Sequence, residues 1–558
     1  MGRRQVVVVV AVVAAALAVW GVVELTKARR PLTQVAKEVR TLVRRKSVDL
    51  PGTSRAEATA TWKLVRAFYK KRSDRPAWTD GRGPRPAADR LVEAVDRSRA
   101  DGLSPEQYEQ ARLATEIRAL SRGPLGDPPA ARALAELDVR CTYDYFRLAN
   151  HLLNGRVSPR TLDPDWRTTP RQVDLVAVLR RAIAKRRVID SLADLSPRDP
   201  RYARLREAFA RYSEIVAQGG WPAIPPGPPL RMGQAGPRVE ALARRLEFEG
   251  DAHAAGRAFD ARLEQAVRRY QIRHGLPATG AVDAATLAAL DVPAGERLRT
   301  IQLNLERWRW LPADLGSRYV LVNIPDYRLD VFDGGRAVLS MAVVVGKRMS
   351  PTPMFSDRAV AVEVNPYWNI PAGIAAAEIG PHAQEDEEYL ARSHIRVLTR
   401  AGEGGEEKDE RDVDWSDSSG ASYALRQDPG PDNPLGRIKI ALPNEYDVYL
   451  HDTPAGHLFG SQERDFSHGC IRVEKPVELA ELLLRGGKRK VDLRQAIASG
   501  KNQWIPLPEK IPVHILYWTA WVDEDGTVQF RNDVYGHDAR LDRALRTGAM
   551  STFRINAT

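Results

Sequence analysis

At Tyr319 the hydrophobic period of this 558-residue chain changes from helical to strand-like, and that switch limits what it can fold into. Upstream, Leu64, Ala67 and Phe68, then Leu91, Val92 and Val95, then Leu134 to Leu153 and Leu175 to Ile183 recur at helical spacings, each group giving an amphipathic face. Downstream, Val320, Val322 and Ile324 alternate with polar neighbours, as do Leu329 and Val331, Val360, Val362 and Val364, Ile438, Ile440 and Leu442, and Val448 and Leu450. Alternation of that kind is the mark of a half-buried antiparallel sheet or sandwich. The chain is too long for one ordinary core, so the reading is a multidomain α+β protein, helical first and β-rich second.

The punctuation between these blocks sets the boundaries. Residues 31–61 are polar and basic and read as a helical or loose stalk, and 62–220 as an all-helical domain. Trp221 to Leu230 carries five prolines in ten residues, so 221–229 reads as a stiff linker. Residues 230–295 form a three-helix module. Val239, Leu242 and Leu246 share one helical face, Phe259, Leu263, Val267 and Tyr270 another, Gly275 ends the second helix and Asp283 caps the third. A connector over 296–318 leads to the β-rich domain over 319–500, which carries an insertion at about 375–436, and 501–558 is a C-terminal segment associated with the helical domain. Within the insertion, Ala401 to Gly420 is acidic and Gly-rich, and reads as a mobile excursion that serves either as a lid or only as a solvated loop.

Val6 to Val23 is uncharged and apolar, flanked by Arg3 and Arg4 before and by Lys27, Arg29 and Arg30 after, which makes 1–30 an export segment. The following Glu24-Leu25-Thr26-Lys27 lacks the small residues of a cleavage site, so an uncleaved, single-pass anchor is expected. The heavier basic flank on its C-terminal side opposes export, but long domains translocate largely regardless of such charge. The formal charge of +12 comes from scattered arginines, with no compact basic tract, so no nucleic-acid partner is expected. Cys141 and Cys470 are the only cysteines, which excludes a disulfide framework and a four-cysteine metal site. Cys141 falls on an apolar helical face and reads as a buried hydrophobe.

Cys470 needs a different account. In Val448-Tyr449-Leu450-His451, the apolar pair points to the core, so Tyr449 and His451 emerge together on the other face. In Ser467-His468-Gly469-Cys470-Ile471-Arg472-Val473, Ile471 and Val473 supply a core face that Cys470 and Arg472 do not share, and Gly469 lets another chain approach closely. A thiol is mostly protonated at neutral pH and needs an imidazole or another positive field to become a nucleophile. His451 is the candidate base, and His468 is a local structural contact. Arg472 adds positive charge beside the thiol and has the fork geometry for a carboxylate. A zinc site of His451, His457, His468 and Cys470 is the competing use of the same residues, disfavoured because His457 lies in a Gly-flanked loop and His468 and Cys470 are nearly adjacent. Trp308, Trp310, Tyr367 and Trp368 read as core.

HDTPAGHLFGSQERDFSHGCIRV resembles the active-site signature of the L,D-transpeptidases of the YkuD family, and LNLERWRWLP, YVLVNIPDYRLDVFD, VVVGKRMSPTP and VEVNPYWNIP resemble its large subgroup. LRMGQAGPRVEALARRL and FDARLEQAVRRYQIRHGLPATGAVDAATLAAL resemble a peptidoglycan-binding domain. The resemblance implies a membrane helix, a helical scaffold domain, a peptidoglycan-binding module and a β-rich catalytic domain with a lid-like insertion. It implies Cys470 as nucleophile, His451 as general base, the N–H groups around Gly469 and Cys470 as oxyanion donors, and Ser467, His468, Arg472 and Tyr449 in support, with Arg472 where many members have Asn. No metal and no cofactor are implied. The implied activity is 3→3 cross-linking of peptidoglycan stems through a cysteine thioester, with release of D-Ala. Water or a protein lysine as acceptor would make it a carboxypeptidase or an anchoring enzyme, and a non-catalytic wall-binding protein is the remaining alternative. Implied partners are stem peptides, the inner membrane, carbapenems as covalent inhibitors and proteins of wall synthesis, with the catalytic domain in the periplasm.

Overall fold

The computed structural model describes residues 32–44, 54–121, 128–162, 166, 171–251, 257–399, 405–409, 413, 423–487 and 491–547. The expected membrane segment lies outside them, and among the described residues no helix is long and apolar enough to cross a membrane.

Helices Arg55–Lys70, Pro86–Arg97, Gln110–Ser121, Pro128–Asn154, Leu175–Lys185, Val188–Ala193 and Pro200–Ala217 follow the helical periodicity of the first half. Trp62, Val65, Phe68, Tyr69, Leu91 and Leu148 share one core. Asp138 accepts hydrogen bonds from the backbone N–H groups of Ala77, Trp78 and Thr79 at 2.9, 2.7 and 2.8 Å, which ties the loop after the first of these helices to the 27-residue helix. Residues 32–43 are helical too, and Val35 and Val39 are buried in the same core. Much of the expected stalk is therefore part of the helical domain, because its valines four apart make an apolar face that needs covering. Cys141 is buried in this core as a free thiol.

The three-helix module comprises Pro237–Phe248, Ala261–Arg273 and Ala284–Asp291. Asp260 caps its second helix through Leu263 N at 2.9 Å and Asp283 its third through Thr286 N at 2.8 Å. The proline-rich stretch is docked rather than a free spacer: Ile224 and Leu230 enter the module core, and the Arg245 guanidinium lies 3.8 Å from the Trp221 ring centre. The expected connector is largely a helix, Ala294–Trp308, whose Ile301, Leu305 and Trp308 pack with Tyr202, Leu205 and Tyr212 of Pro200–Ala217. Their spacing of four and three is an amphipathic stripe, so this segment is core rather than tether.

The second half contains strands β1 (Arg318–Asn323), β2 (Arg328–Asp333), β3 (Arg336–Gly346), β4 (Phe355–Val364), β5 (Trp368–Ile370), β6 (Ile395–Leu398), β7 (Glu407–Lys408) and β8 (Ala424–Gln427). These are followed by β9 (Ile438–Ala441), β10 (Leu450–His451), β11 (Asp465–Ser467), β12 (Ile471–Val473), β13 (Gln503–Leu516), β14 (Ala520–Val522) and β15 (Val528–Phe530). Nine of them form the main sheet in the order β11-β3-β12-β10-β9-β4-β13-β1-β2, and β3 also pairs with β2. That last pairing closes the sheet on itself, so its inner face, with Val322, Leu329, Val343, Val362, Ile440, Leu450, Ile471 and Val513, is one core. β13 pairs with β1 in parallel and with β4 antiparallel. The main sheet thus runs past residue 500, and the C-terminal segment supplies one of its central strands.

The insertion is a folded lobe. Strands β5-β8-β6-β7 form their own sheet, and Ile370, Ile379, Leu390, Ile395, Val397 and Leu425 form their own core. A π-helical turn, Ala375–Ile379, lies within it after β5. Most of the expected excursion at 401–420 lies outside the described residues.

Candidate active site

The sheet brings two remote segments side by side. β10 and β12 are parallel neighbours, with Leu450 opposite Ile471 and His451 opposite Arg472. On the other side β9 sets Lys439 opposite His451. Ile440, Leu450, Ile471 and Val473 turn into the core, so Lys439, Tyr449, His451, Cys470 and Arg472 share the opposite face. The faces expected for Tyr449, His451, Cys470 and Arg472 are those observed, while the parallel pairing that joins them was not legible from periodicity. Lys439 was overlooked, although the alternation of Ile438 and Ile440 already turns it outward.

The backbone before Cys470 is held from several sides. Gly469 has φ of +118°, a conformation that favours glycine, whereas a Cβ there would meet its nearest neighbours only at 3.8 and 4.0 Å. The buried Ser467 hydroxyl accepts from Gly469 N at 3.1 Å and donates to Cys470 O at 2.6 Å. This corrects one expectation: the Gly469 N–H is engaged within its own turn and is not free as an oxyanion donor. Among the described residues the Cys470 N–H has no such partner. Thr352, also overlooked, donates to Gly469 O at 2.8 Å and accepts from Gly346 N at 2.8 Å, and the Tyr535 hydroxyl donates to Gly346 O at 2.5 Å. Nothing in the sequence near Thr352 signals this beyond a polar residue between prolines.

His468 does not turn toward Cys470. Its Nε2 meets Glu378 of the insertion at 2.8 Å and Lys347 Nζ at 3.0 Å, so it links the loop before Cys470 to the π-helical turn instead of making only a local contact. Among the described residues no group of three or more His, Cys, Asp or Glu side chains is arranged to hold a metal ion.

The half-buried Cys470 thiol donates to the Asp447 carbonyl, Sγ to O 3.6 Å, rather than to His451. Asp447 itself lies at φ of +51°. Register explains the arrangement: Tyr449 sits opposite Cys470, and Ile471 N donates to Tyr449 O at 3.1 Å, so His451 is one pleat further along. The backbones at Cys470 and His451 are then roughly 8 Å apart, a span their side chains can bridge. Burial pushes the thiol above its ordinary value, against hydrogen bonding from Tyr449 and the charge of Lys439.

His451 is buried, and its Nδ1 faces the Asp452 carbonyl at 2.6 Å. A carbonyl only accepts, so Nδ1 carries the hydrogen and, in the neutral ring, Nε2 keeps its lone pair. Burial first, then the Arg472 charge, push the imidazole down to about 3. The resting pair is therefore neutral thiol and neutral imidazole, with the proton on sulfur and Nε2 unprotonated.

Three families match the chain: a scaffold domain over residues 63–209, a "Putative peptidoglycan binding domain" over 235–290 and an L,D-transpeptidase catalytic domain, YkuD, over 317–493. A Haemophilus influenzae protein described as "Putative L,D-transpeptidase" is 33% identical over 246 residues, 44% of this chain and 49% of that protein, so the match spans about half the relative's length. Solved L,D-transpeptidase structures are similar in part. One from Xylanimonas cellulosilytica is 16% identical, covers 52% of this chain and 99% of its own, and has a TM-score of 0.18. Another, from Stackebrandtia nassauensis, is 14% identical, covers 53% of this chain and 96% of its own, and has a TM-score of 0.20.

Proposed function

This chain carries a YkuD L,D-transpeptidase catalytic domain together with a scaffold domain and a peptidoglycan-binding domain, and on that premise we propose that it forms 3→3 cross-links between peptidoglycan stems through a thioester on Cys470. The observation that supports the reading is the shared outward face of Cys470 and His451 on adjoining parallel strands, with the proton still on sulfur and a lone pair on the imidazole.

The steps follow from those two groups. His451 Nε2 takes the thiol proton as sulfur attacks the carbonyl between the third residue of a tetrapeptide stem, at its L-centre, and the terminal D-Ala. The Cys470 N–H faces the developing oxyanion. The C–N bond breaks, the imidazolium returns its proton to the departing amine, and D-alanine leaves a thioester behind. A side-chain amine of a second stem then attacks the thioester carbon, gives its proton to His451 and restores the thiol. A carbapenem would acylate the same sulfur, with ring opening in place of a leaving group. In this reading Val6 to Val23 anchors the chain in the inner membrane and the sheet works in the periplasm, where the peptidoglycan-binding module holds it against its polymer.

Mass spectrometry tests the chemistry directly. The full chain mixed with a carbapenem is expected to gain one adduct on Cys470, and with disaccharide-tetrapeptide to release D-alanine and yield a dimeric product. Cys470→Ala is expected to do neither. Wild-type activity in Cys470→Ala would sink the reading, and D-alanine release without dimer would make water the acceptor.

A further inference from the structure

Two cations flank His451, one from each neighbouring strand: Lys439 on β9 and Arg472 on β12. They are not equivalent. Lys439 has a counter-charge, since its Nζ lies 3.1 Å from Glu363 on β4, and it also sits 4.7 Å from the Tyr449 ring centre. Arg472 has none: among the described residues no carboxylate pairs with it, and its Nε is buried without a hydrogen-bond partner. Asp452, the other acid beside His451, turns its carboxylate to Arg437 and to the Arg437 backbone N–H at 2.9 Å. Tyr449 completes the surroundings, its ring centre 5.6 Å from that of His451. A guanidinium held half-buried with an orphaned donor is expensive unless something anionic meets it.

We propose that the missing partner is a carboxylate of the donor stem, that of the terminal D-alanine, and that Arg472 is the specificity-determining residue that receives it. This rests on the acyl-transfer reading above. Cys470 and Arg472 share one strand face two residues apart, about 6.6 Å along the backbone. The carboxylate of the leaving D-alanine stands two bonds beyond the scissile nitrogen, so a carbonyl seated on Sγ delivers it to the planar fork of the arginine.

The seating has a second effect. Arg472 is one of the charges that disfavour the imidazolium of His451. A carboxylate on Arg472 cancels that repulsion, so a correctly ended donor raises the basicity of the group that must take the thiol proton.

The test uses the full chain and three donors: the tetrapeptide ending in D-alanine, the same peptide ending in D-alaninamide, and one with a free terminus but with any side-chain carboxylate of its third residue amidated. Wild type is expected to favour the free terminus over the terminal amide by roughly 10- to 100-fold in kcat/KM, the range of a hydrogen-bonded charge. In Arg472→Gln that ratio is expected to fall to near one, through loss on the acid donor alone. The acid limb of the kcat profile, which reports His451 in the complex, is expected to lie higher with the free-acid donor than with the amide in wild type, and to coincide for the two in the variant. Arg472→Lys, which keeps the charge but not the fork, is expected to be intermediate and serves if Arg472→Gln does not fold. An unchanged acid-to-amide ratio in Arg472→Gln would overturn the assignment while leaving the acyl-transfer reading intact. A ratio that instead follows amidation of the third residue would move the contact to the other carboxylate and overturn the D-alanine form. No release of D-alanine or D-alaninamide from any donor by wild type would overturn the reading and this inference together.

Discussion

Because His451 is buried in neutral form, the active-site strands should lose stability in mild acid through this one ring. Its pKa in the folded chain is about 3, against an ordinary value of about 6.5 for an unfolded histidine. The folded value is depressed, so its stabilising contribution is complete above about pH 6.5 and is lost progressively as pH falls toward 3. At roughly 1.4 kcal/mol per pH unit, the loss between pH 7 and pH 5 is about 2 kcal/mol, and it would approach 5 kcal/mol at the foot of the window. The perturbation is His451→Asn, which can keep a donor near the Nδ1 position for the Asp452 carbonyl but cannot titrate. The assay is hydrogen exchange by mass spectrometry on peptides spanning Val448 to Val473, with protection normalised to intrinsic rates at each pH. Wild type is expected to lose roughly 30-fold in protection between pH 7 and pH 5 beyond whatever the variant loses. His151, His274, His514 and His537, also lowered by burial, titrate alike in both proteins and cancel. Equal losses in the two would refute the claim that His451 is held neutral.

Two further substitutions address the nucleophile loop. Gly469→Ala has room for its methyl group but not the right backbone, so it is expected to cost about 1–3 kcal/mol through φ alone and to slow Cys470 acylation, as read by thermal unfolding and carbapenem adduct formation; unchanged values in both would show that φ is not limiting. Thr352→Val leaves Gly469 O and Gly346 N without their partner and is expected to cost about 2–4 kcal/mol and to lower kcat more than it raises KM, with Thr352→Ser restoring both; a fall in KM affinity alone would argue against a role in holding the loop.

What could be read from the chain beforehand depended on how far each feature's cause reached. Alternation put Tyr449 and His451 on the non-core face of one segment and Cys470 and Arg472 on the non-core face of the other, because a strand's pleat is local. The caps at Asp260 and Asp283 are equally local, and Asp283 was read without structure. The joining of β10 to β12 depends on which strands pair, and periodicity carries no partner identity. The same holds for β13: Pro506, Pro508 and Pro512 make Gln503–Leu516 look like a poor central strand, yet it lies between β4 and β1 with a register break between Pro506 and Ile511. The stalk and the connector were misjudged for the opposite reason. Their apolar stripes, Val35 and Val39, and Ile301, Leu305 and Trp308, were present but short beside the polar residues around them.

Charge balance was the least legible part and bears most directly on mechanism. Sequence alone offers an arginine beside a cysteine, and the simplest inference is a field that lowers the thiol. The folded site reverses it. Burial outweighs the nearby cations at Cys470, so the thiol is raised, while the same burial and Arg472 depress His451. An ion pair between the two is thereby disfavoured on both sides until something changes the surroundings. Lys439 cannot be that variable, since Glu363 already answers it. The adjustable charge is Arg472, and an enzyme arranged in this way would keep its nucleophile protonated, and so protected from oxidation, until an anionic substrate arrives. That step yields its own check. Oxidation of Cys470 by dilute peroxide is expected to be slow in the free chain and to quicken several-fold in Arg472→Gln, where His451 regains basicity; a slower rate in the variant would mean that Arg472 activates the resting thiol after all.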